Sequence, residues 1–329
     1  MSRSLALGSA IAFTILLAGC TNSSSTTIVG SGPGITQIVV TDANNTRIVG
    51  FTDMTGSNWT TFGTKGTGAN QFEEPIGIAF DSTHRIYITD FIGGAQRIDR
   101  VNDITGAGWT TFGSGGNGVD QFGNPLGIAL DATNRIYVAD ADGTDRIARF
   151  DDMTGTNWVT FGAMGSGVNQ FKNPFAPAID VGGRIYVTDF FNNRIARFDD
   201  MTGTNWTTYG TTGSGVGNFA GPTGMTMDSV GRIYIVDGMN NRIVRIDDMA
   251  GTNWVSFGTA GSGVNQFQFS FACGIGSIAI GPDKRIYIAD AGNNRIVRID
   301  DMTGANWTTF GTLGAGVGNF NVPAGIAVR

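Results

Sequence analysis

The sequence predicts an all-β fold: a six-bladed β-propeller with four-stranded antiparallel blades, closed by the C-terminal strand joining the N-terminal blade. Three observations carry this. All six tryptophans, Trp59, Trp109, Trp158, Trp206, Trp254 and Trp307, share one context and are separated by 50, 49, 48, 48 and 53 residues; a fixed period near 50 marks a repeat architecture. The aspartates Asp42, Asp90, Asp140, Asp189, Asp237 and Asp290 keep the same beat. The 51 glycines far exceed ordinary usage while hydrophobics still reach 41%, so the chain is turn-rich and globular rather than disordered or collagen-like.

Taken in order, the first segment is an address. "MSRSLALGSAIAFTILLAGC" has one cation, Arg3, and an apolar stretch from Leu5 to Ala18. That is short for a membrane-spanning helix, which needs about 20 apolar residues, and suits a cleaved signal over residues 1–19. Its end, Leu17-Ala18-Gly19-Cys20, resembles the lipobox of bacterial lipoproteins. The resemblance implies cleavage before Cys20, lipidation of Cys20, a membrane anchor and an extracytoplasmic place in the bacterial cell envelope; the alternative is an ordinary secretory signal. Residues 20–35 are small and polar and read as a flexible tether. Cys273 is the only other cysteine and reads as a small buried hydrophobe.

Residues 36–329 carry the repeat. In the second unit four β-rich runs, "PIGIAFD", "RIYITD", "QRIDRV" and "WTTFG", are bounded by turn residues, as antiparallel strands require. The first run keeps Gly or Ala on one alternating set, Gly77 and Ala79 or Gly127 and Ala129, which suits a crowded centre. The run Tyr234-Ile235-Val236 puts apolar side chains on both faces, as in a sheet packed between two others. The chain enters at "TQIVVTD", matching a second strand, and leaves at "PAGIAVR", matching a first strand. Pairing the two closes the ring and covers an edge.

The composite Gly113 to Ile147, "GSGGNGVDQFGNPLGIALDATNRIYVADADGTDRI", resembles the NHL repeat family, and the resemblance runs almost continuously from residue 36 to 328. It implies the fold more than a function, because the family includes RNA-binding, protein-binding, sensory and enzymatic members.

The charged residues are expected to be scaffold. Arg47, Arg97, Arg146, Arg194, Arg242 and Arg295 recur in all six units, as do Asp53, Asp103, Asp152, Asp200, Asp248 and Asp301. A catalytic group is needed once per site, a scaffold group once per blade. The strand-ending aspartate is expected to accept N–H groups of the turn that follows and to pair with the next strand's arginine. No catalytic residue is assigned. The single histidine, His84, lies in a turn and cannot make a multi-histidine zinc site of the kind used by six-bladed amidating lyases. Lactonase-like six-bladed hydrolases hold calcium on the axis, and hard cations need several converging oxygens. Here the positions after the inner-strand proline are Ile76, Leu126, Phe175, Thr223 and Ala324, with Cys273 near the sixth. No cofactor is expected; an axial calcium reached by loop aspartates and asparagines is the alternative.

Function is expected where the units differ. The loops between second and third strands carry Phe91 and Ile92, Phe190 and Phe191, and Met239, and the sixth unit has an enlarged "QFQFSFACGIG" containing Phe267, Phe269 and Phe271. These residues either line an apolar recognition surface, as aromatic and Met-rich patches do at interfaces, or fold inward and fill the tunnel mouth. The formal net charge of −6 argues against nucleic acid, whose binding draws on a cationic surface. The expected function is an envelope-anchored, non-enzymatic propeller that binds a protein or glycan through one loop face. The alternative is a metal-dependent hydrolase or lyase on the same ring.

Overall fold

The computed structural model describes residues 36–141, 143–269 and 276–329. Cys20, Phe271 and Cys273 lie outside the described residues. The chain forms six four-stranded antiparallel sheets around an axis, a six-bladed propeller. Blade 2 is typical: Pro75–Phe80 is innermost, followed outward by Ile86–Asp90, Arg97–Val101 and Thr110–Phe112. Blades 3 to 6 repeat that order from inner strands Asn124–Leu130, Pro174–Ile179, Pro222–Met227 and Ser277–Ile280. Blade 1 takes its inner strand, Pro323–Val328, from the far end of the chain, pairing it with Ile38–Asp42 in the register Ile38 to Val328 and Val40 to Ile326. Among the described residues no helix is long and apolar enough to cross a membrane.

Each blade buries both faces because its second strand is buried along its whole length, with apolar side chains at most positions, and the buried residues fall into clusters that straddle neighbouring blades. Ile38, Val40 and Ile326 of blade 1 pack with Tyr287, Ala289 and Ile296 of blade 6. Full burial of each such side chain contributes about 1.5–3 kcal/mol, which no blade could collect alone. Near the axis the blades touch through backbone. A Cβ built on Gly77 would lie 2.4 Å from Leu126 O, and one on Gly127 2.4 Å from Phe175 O, so glycine there is a condition of ring closure.

Three threonines weld the inner strands. Thr89 Oγ1 accepts from Gly77 N–H at 2.7 Å and donates to Leu126 O at 2.6 Å, joining blades 2 and 3. Thr41 and Thr188 do the same between blades 1 and 2 and between blades 4 and 5. Each bridges buried backbone groups that the edge of an inner strand would otherwise leave unpaired.

The recurring ion pairs hold the outer parts. In five blades the third strand's first arginine donates Nε–H to the aspartate ending the second strand, at 2.8–3.0 Å. Its remaining N–H groups reach carbonyls of the glycine-rich loop before the inner strand, as Arg242 does to Ser214 and Asn218. Its guanidinium sits 5.6–5.9 Å from the blade's tryptophan ring, within cation–π range. The aspartate's other partners differ from expectation. The N–H groups it accepts come from the connector preceding the inner strand, for example Lys172 N–H to Asp189 and Ala220 N–H to Asp237, both at 2.7 Å. The turn that follows contributes a side chain instead, as Asn192 does to Asp189. The second aspartate set closes hairpins: Asp53, Asp152, Asp200 and Asp301 each accept the N–H two residues on, an Asx turn.

Candidate functional site

The end of the propeller that carries the variable loops is built from two layers of connection. In each blade the loop between second and third strands is tied by backbone hydrogen bonds to the connector leading into the inner strand. Phe91 N–H donates to Glu74 O, Phe191 N–H to Lys172 O and Met239 N–H to Ala220 O. The same pairing recurs as Gly292 N–H to Gln268 O and Asn44 N–H to Asn321 O. Both sets of loops therefore share one face.

At its centre the positions following the inner-strand proline form a ring of Ile76, Leu126, Phe175, Thr223, Gly276 and Ala324. The sixth member is Gly276 rather than Cys273, because Ile278 pairs with Ile288 as Ile78 pairs with Ile88. Ile76, Leu126, Phe175 and Ala324 belong to one buried apolar cluster with Ala43, Ala141 and Phe190, against which Phe91 and Val322 pack. This cluster closes blades 1 to 4 over an axial channel of about 360 Å³ that runs between the six inner strands. Thr223 supplies the only side-chain oxygen of the ring, and it already donates to Gly276 O at 3.0 Å. A hard cation asks for six or more oxygens, so this ring does not fit calcium.

The loop residues divide by depth. Phe191 is half exposed at 50%, and Ile92 and Met239 are exposed at 40% and 43%. Phe91 is half-buried. Phe190 is buried, 6.3 Å from Phe175 and edge-on to Phe191 at 4.9 Å. Phe267 and Phe269 are buried and stacked at 5.2 Å. Phe267 is the sixth member of a set, with Phe72, Phe122, Phe171, Phe219 and Phe320, that is fully buried in every blade; its surroundings are scaffold. The signal for that was in the sequence, since Phe267 follows glutamine as Phe72, Phe122 and Phe171 do. Phe91 and Phe190 thus floor the face, Phe269 belongs with Phe267 to the core cluster between blades 5 and 6, and Ile92, Phe191 and Met239 stand on the face.

A further ring went unnoticed in the sequence. Val119, Val168, Val216, Val264 and Val317 occupy equivalent places in the glycine-rich loops and are 70–79% exposed. The arginines bonded to these loops place them around the rim of the same face.

His84 is exposed in the hairpin joining inner and second strands of blade 2, with φ 70, at the opposite end of the blades. Among the described residues, the connectors into the inner strands carry three charges, Glu73, Glu74 and Lys172. Glu74 is half-buried, and burial pushes its carboxyl above the ordinary range. Lys172 Nζ lies 5.9 Å from the Phe191 ring.

No protein-family model and no curated protein matches the sequence. Solved structures share the fold. A chain of a nidogen/laminin complex superposes with TM-score 0.64 at 20% identity, covering 89% of this chain and 98% of that one. A streptogramin B lyase superposes with TM-score 0.58 at 19% identity, covering 88% and 82%. A catalytically inactive histidine-to-alanine variant of the virginiamycin B lyase of Staphylococcus aureus, solved with quinupristin, gives 0.55 at 18%, covering 82% and 78%.

Proposed function

We propose that this chain is a non-enzymatic binding propeller, anchored in the bacterial cell envelope through lipidated Cys20, whose loop face holds a protein ligand. The observation that carries the reading is the contrast between the repeating and varying parts. The recurring arginines and aspartates are engaged in holding blades together, whereas Ile92, Phe191 and Met239 project from loops that differ between blades. Exposed aromatic and methionine side chains over an apolar floor are the composition of interface cores. The fold likeness to a chain of a nidogen/laminin complex is consistent with a protein partner, and the resemblance to the NHL repeat family and to the lipobox supports the rest.

The test is affinity capture from envelope extracts with the full chain, alongside Phe191→Ala and Met239→Ala. A partner retained by the parent chain and lost from both variants supports the reading; equal retention by all three overturns it.

The fold likeness to streptogramin B lyase keeps a second reading, a lyase or hydrolase on the same ring. Its discriminating measurement is elemental analysis of the purified chain together with turnover assays. Stoichiometric metal with turnover would favour it over binding alone.

A further inference from the structure

We propose that the loop face takes an extended peptide segment of its partner, seating a basic side chain at blade 2 and an acidic one at blade 4 with apolar residues between. The proposal rests on the binding function above and specifies its ligand.

Two residues follow the fully buried phenylalanine of each connector: Glu73 and Glu74, Gly123 and Asn124, Lys172 and Asn173, Ala220 and Gly221, Gln268 and Phe269, Asn321 and Val322. Only blades 2 and 4 place charge there, and the signs are opposite. The backbone of these positions is spent on the scaffold, since the N–H groups of Glu73, Glu74 and Lys172 donate to Asp90 and Asp189. Their side chains are not. Among the described residues, no ion pair or side-chain hydrogen bond engages the carboxylates of Glu73 and Glu74 or the ammonium of Lys172. Asp142 of the blade 3 loop lies outside the described residues, and the other described charges of this face are differently placed. Lys65 and Asp120 lie on the glycine-rich rim loops, and Asp145 is buried, accepting Asn173 N–H. Arg97 beneath Glu73 is engaged with Asp99 and loop carbonyls.

The two charged sites are held beside the apolar floor. The Glu73 side chain packs against the loop between second and third strands of its own blade, since a Cβ on Gly93 would meet Glu73 Cγ at 2.8 Å and Oε2 at 3.0 Å; this holds the carboxylate against the loop that carries Ile92. Lys172 lies over Phe191, which stands edge-on to Phe190. One apolar cluster runs between them, from Phe91 in blade 2 through Ile76, Leu126 and Phe175 to Phe190 in blade 4. Among the described residues, the sequence of environments across the mouth is therefore acidic, apolar, basic.

The energetics favour a cationic group at the acidic end. Glu74 is already part-desolvated without a counter-ion, and the Asp90 carboxyl, raised chiefly by burial, is pushed a little further up by the charge of Glu73. A ligand ammonium or guanidinium there relieves like-charge repulsion and pairs a carboxylate whose dehydration is partly complete. An acidic ligand side chain opposite meets an ammonium held on an aromatic face. An extended segment suits a face whose floor is continuous and whose two charged sites lie on blades separated by one.

The test pans a random-peptide display library on the immobilised full chain, on Glu73→Gln/Glu74→Gln, on Lys172→Gln and on Phe191→Ala, with far-ultraviolet circular dichroism and melting temperature confirming that all four fold alike. The expected result is enrichment of peptides with a Lys or Arg and an Asp or Glu at constant separation, apolar residues between them. The double variant should lose the basic preference alone and Lys172→Gln the acidic preference alone, each weakening a selected peptide at least tenfold. Peptides that need Phe191 but show no charge pattern, or a pattern unchanged in the variants, overturn this proposal and leave the binding function standing. Peptides indifferent to Phe191, or no enrichment, also overturn this proposal, while the binding function itself stands or falls with the capture experiment above.

Discussion

Arg97 Nε lies 2.9 Å from Asp99, and the distance from Arg97 to its expected partner Asp90 opens to 3.6 Å. The other five blades carry Val49, Ala148, Ala196, Val244 and Val297 where blade 2 has Asp99. One guanidinium thus serves two fully buried carboxylates. Burial pushes the Asp99 carboxyl up to about 8 against the opposing attraction of Arg97, and Asp90, which also lacks the asparagine partner found in blades 1, 4, 5 and 6, up to about 6. Both folded values stand above the unfolded one, so the folded state holds the extra proton. The stability this confers is full below about pH 4 and is lost as pH rises through 6 and then 8.

The pH dependence is accordingly testable. Asp99→Val returns blade 2 to the pattern of blade 5 and frees Arg97 for Asp90. The variant should be more stable than the parent by about 1–4 kcal/mol at pH 8, with the difference shrinking toward pH 4. Chemical denaturation at a series of pH values checks this; a difference independent of pH would refute the assignment of a proton to this pair.

The scaffold role of the repeated arginines predicts equivalence. Arg242→Ala and Arg194→Ala each leave a buried aspartate without its cation, and each should destabilise by about 3–5 kcal/mol, by similar amounts in thermal or denaturant unfolding. A single arginine whose removal abolished ligand binding at unchanged stability would contradict it.

Phe190 and Phe191 are adjacent and should behave differently. Phe190→Ala empties part of the buried cluster over the channel and should cost about 3–5 kcal/mol. Phe191→Ala removes a half-exposed ring and should cost under about 1 kcal/mol while weakening capture of the partner. Paired melting and binding measurements separate the two.

Close approach of the inner strands sets a fourth expectation. Gly127→Ala drives a methyl group against Phe175 O, and the blades must part to admit it. The cost should be about 1–3 kcal/mol, read as a lowered denaturation midpoint. No change would mean that the contact between blades 3 and 4 is looser than the geometry here.

Much of this was legible in the sequence. A 50-residue period, alternation within runs and the mismatch of first and last strands specify six blades and their closure, because a sheet buried on both faces must have neighbours and a ring must satisfy its edges. The same logic identified Arg242 and Asp237 as scaffold, since a six-fold residue answers a six-fold need. Depth was not legible. Phe190 and Phe191 are identical letters in one loop, and Phe267 reads like a loop aromatic, yet burial depends on packing against neighbouring blades, as Phe190 packs in a cluster drawn from three blades besides its own. Nor could the sequence show that Asp99 would draw Arg97 from Asp90. That outcome is set by distances of a few ångströms among buried charges, which only the packed tertiary structure fixes.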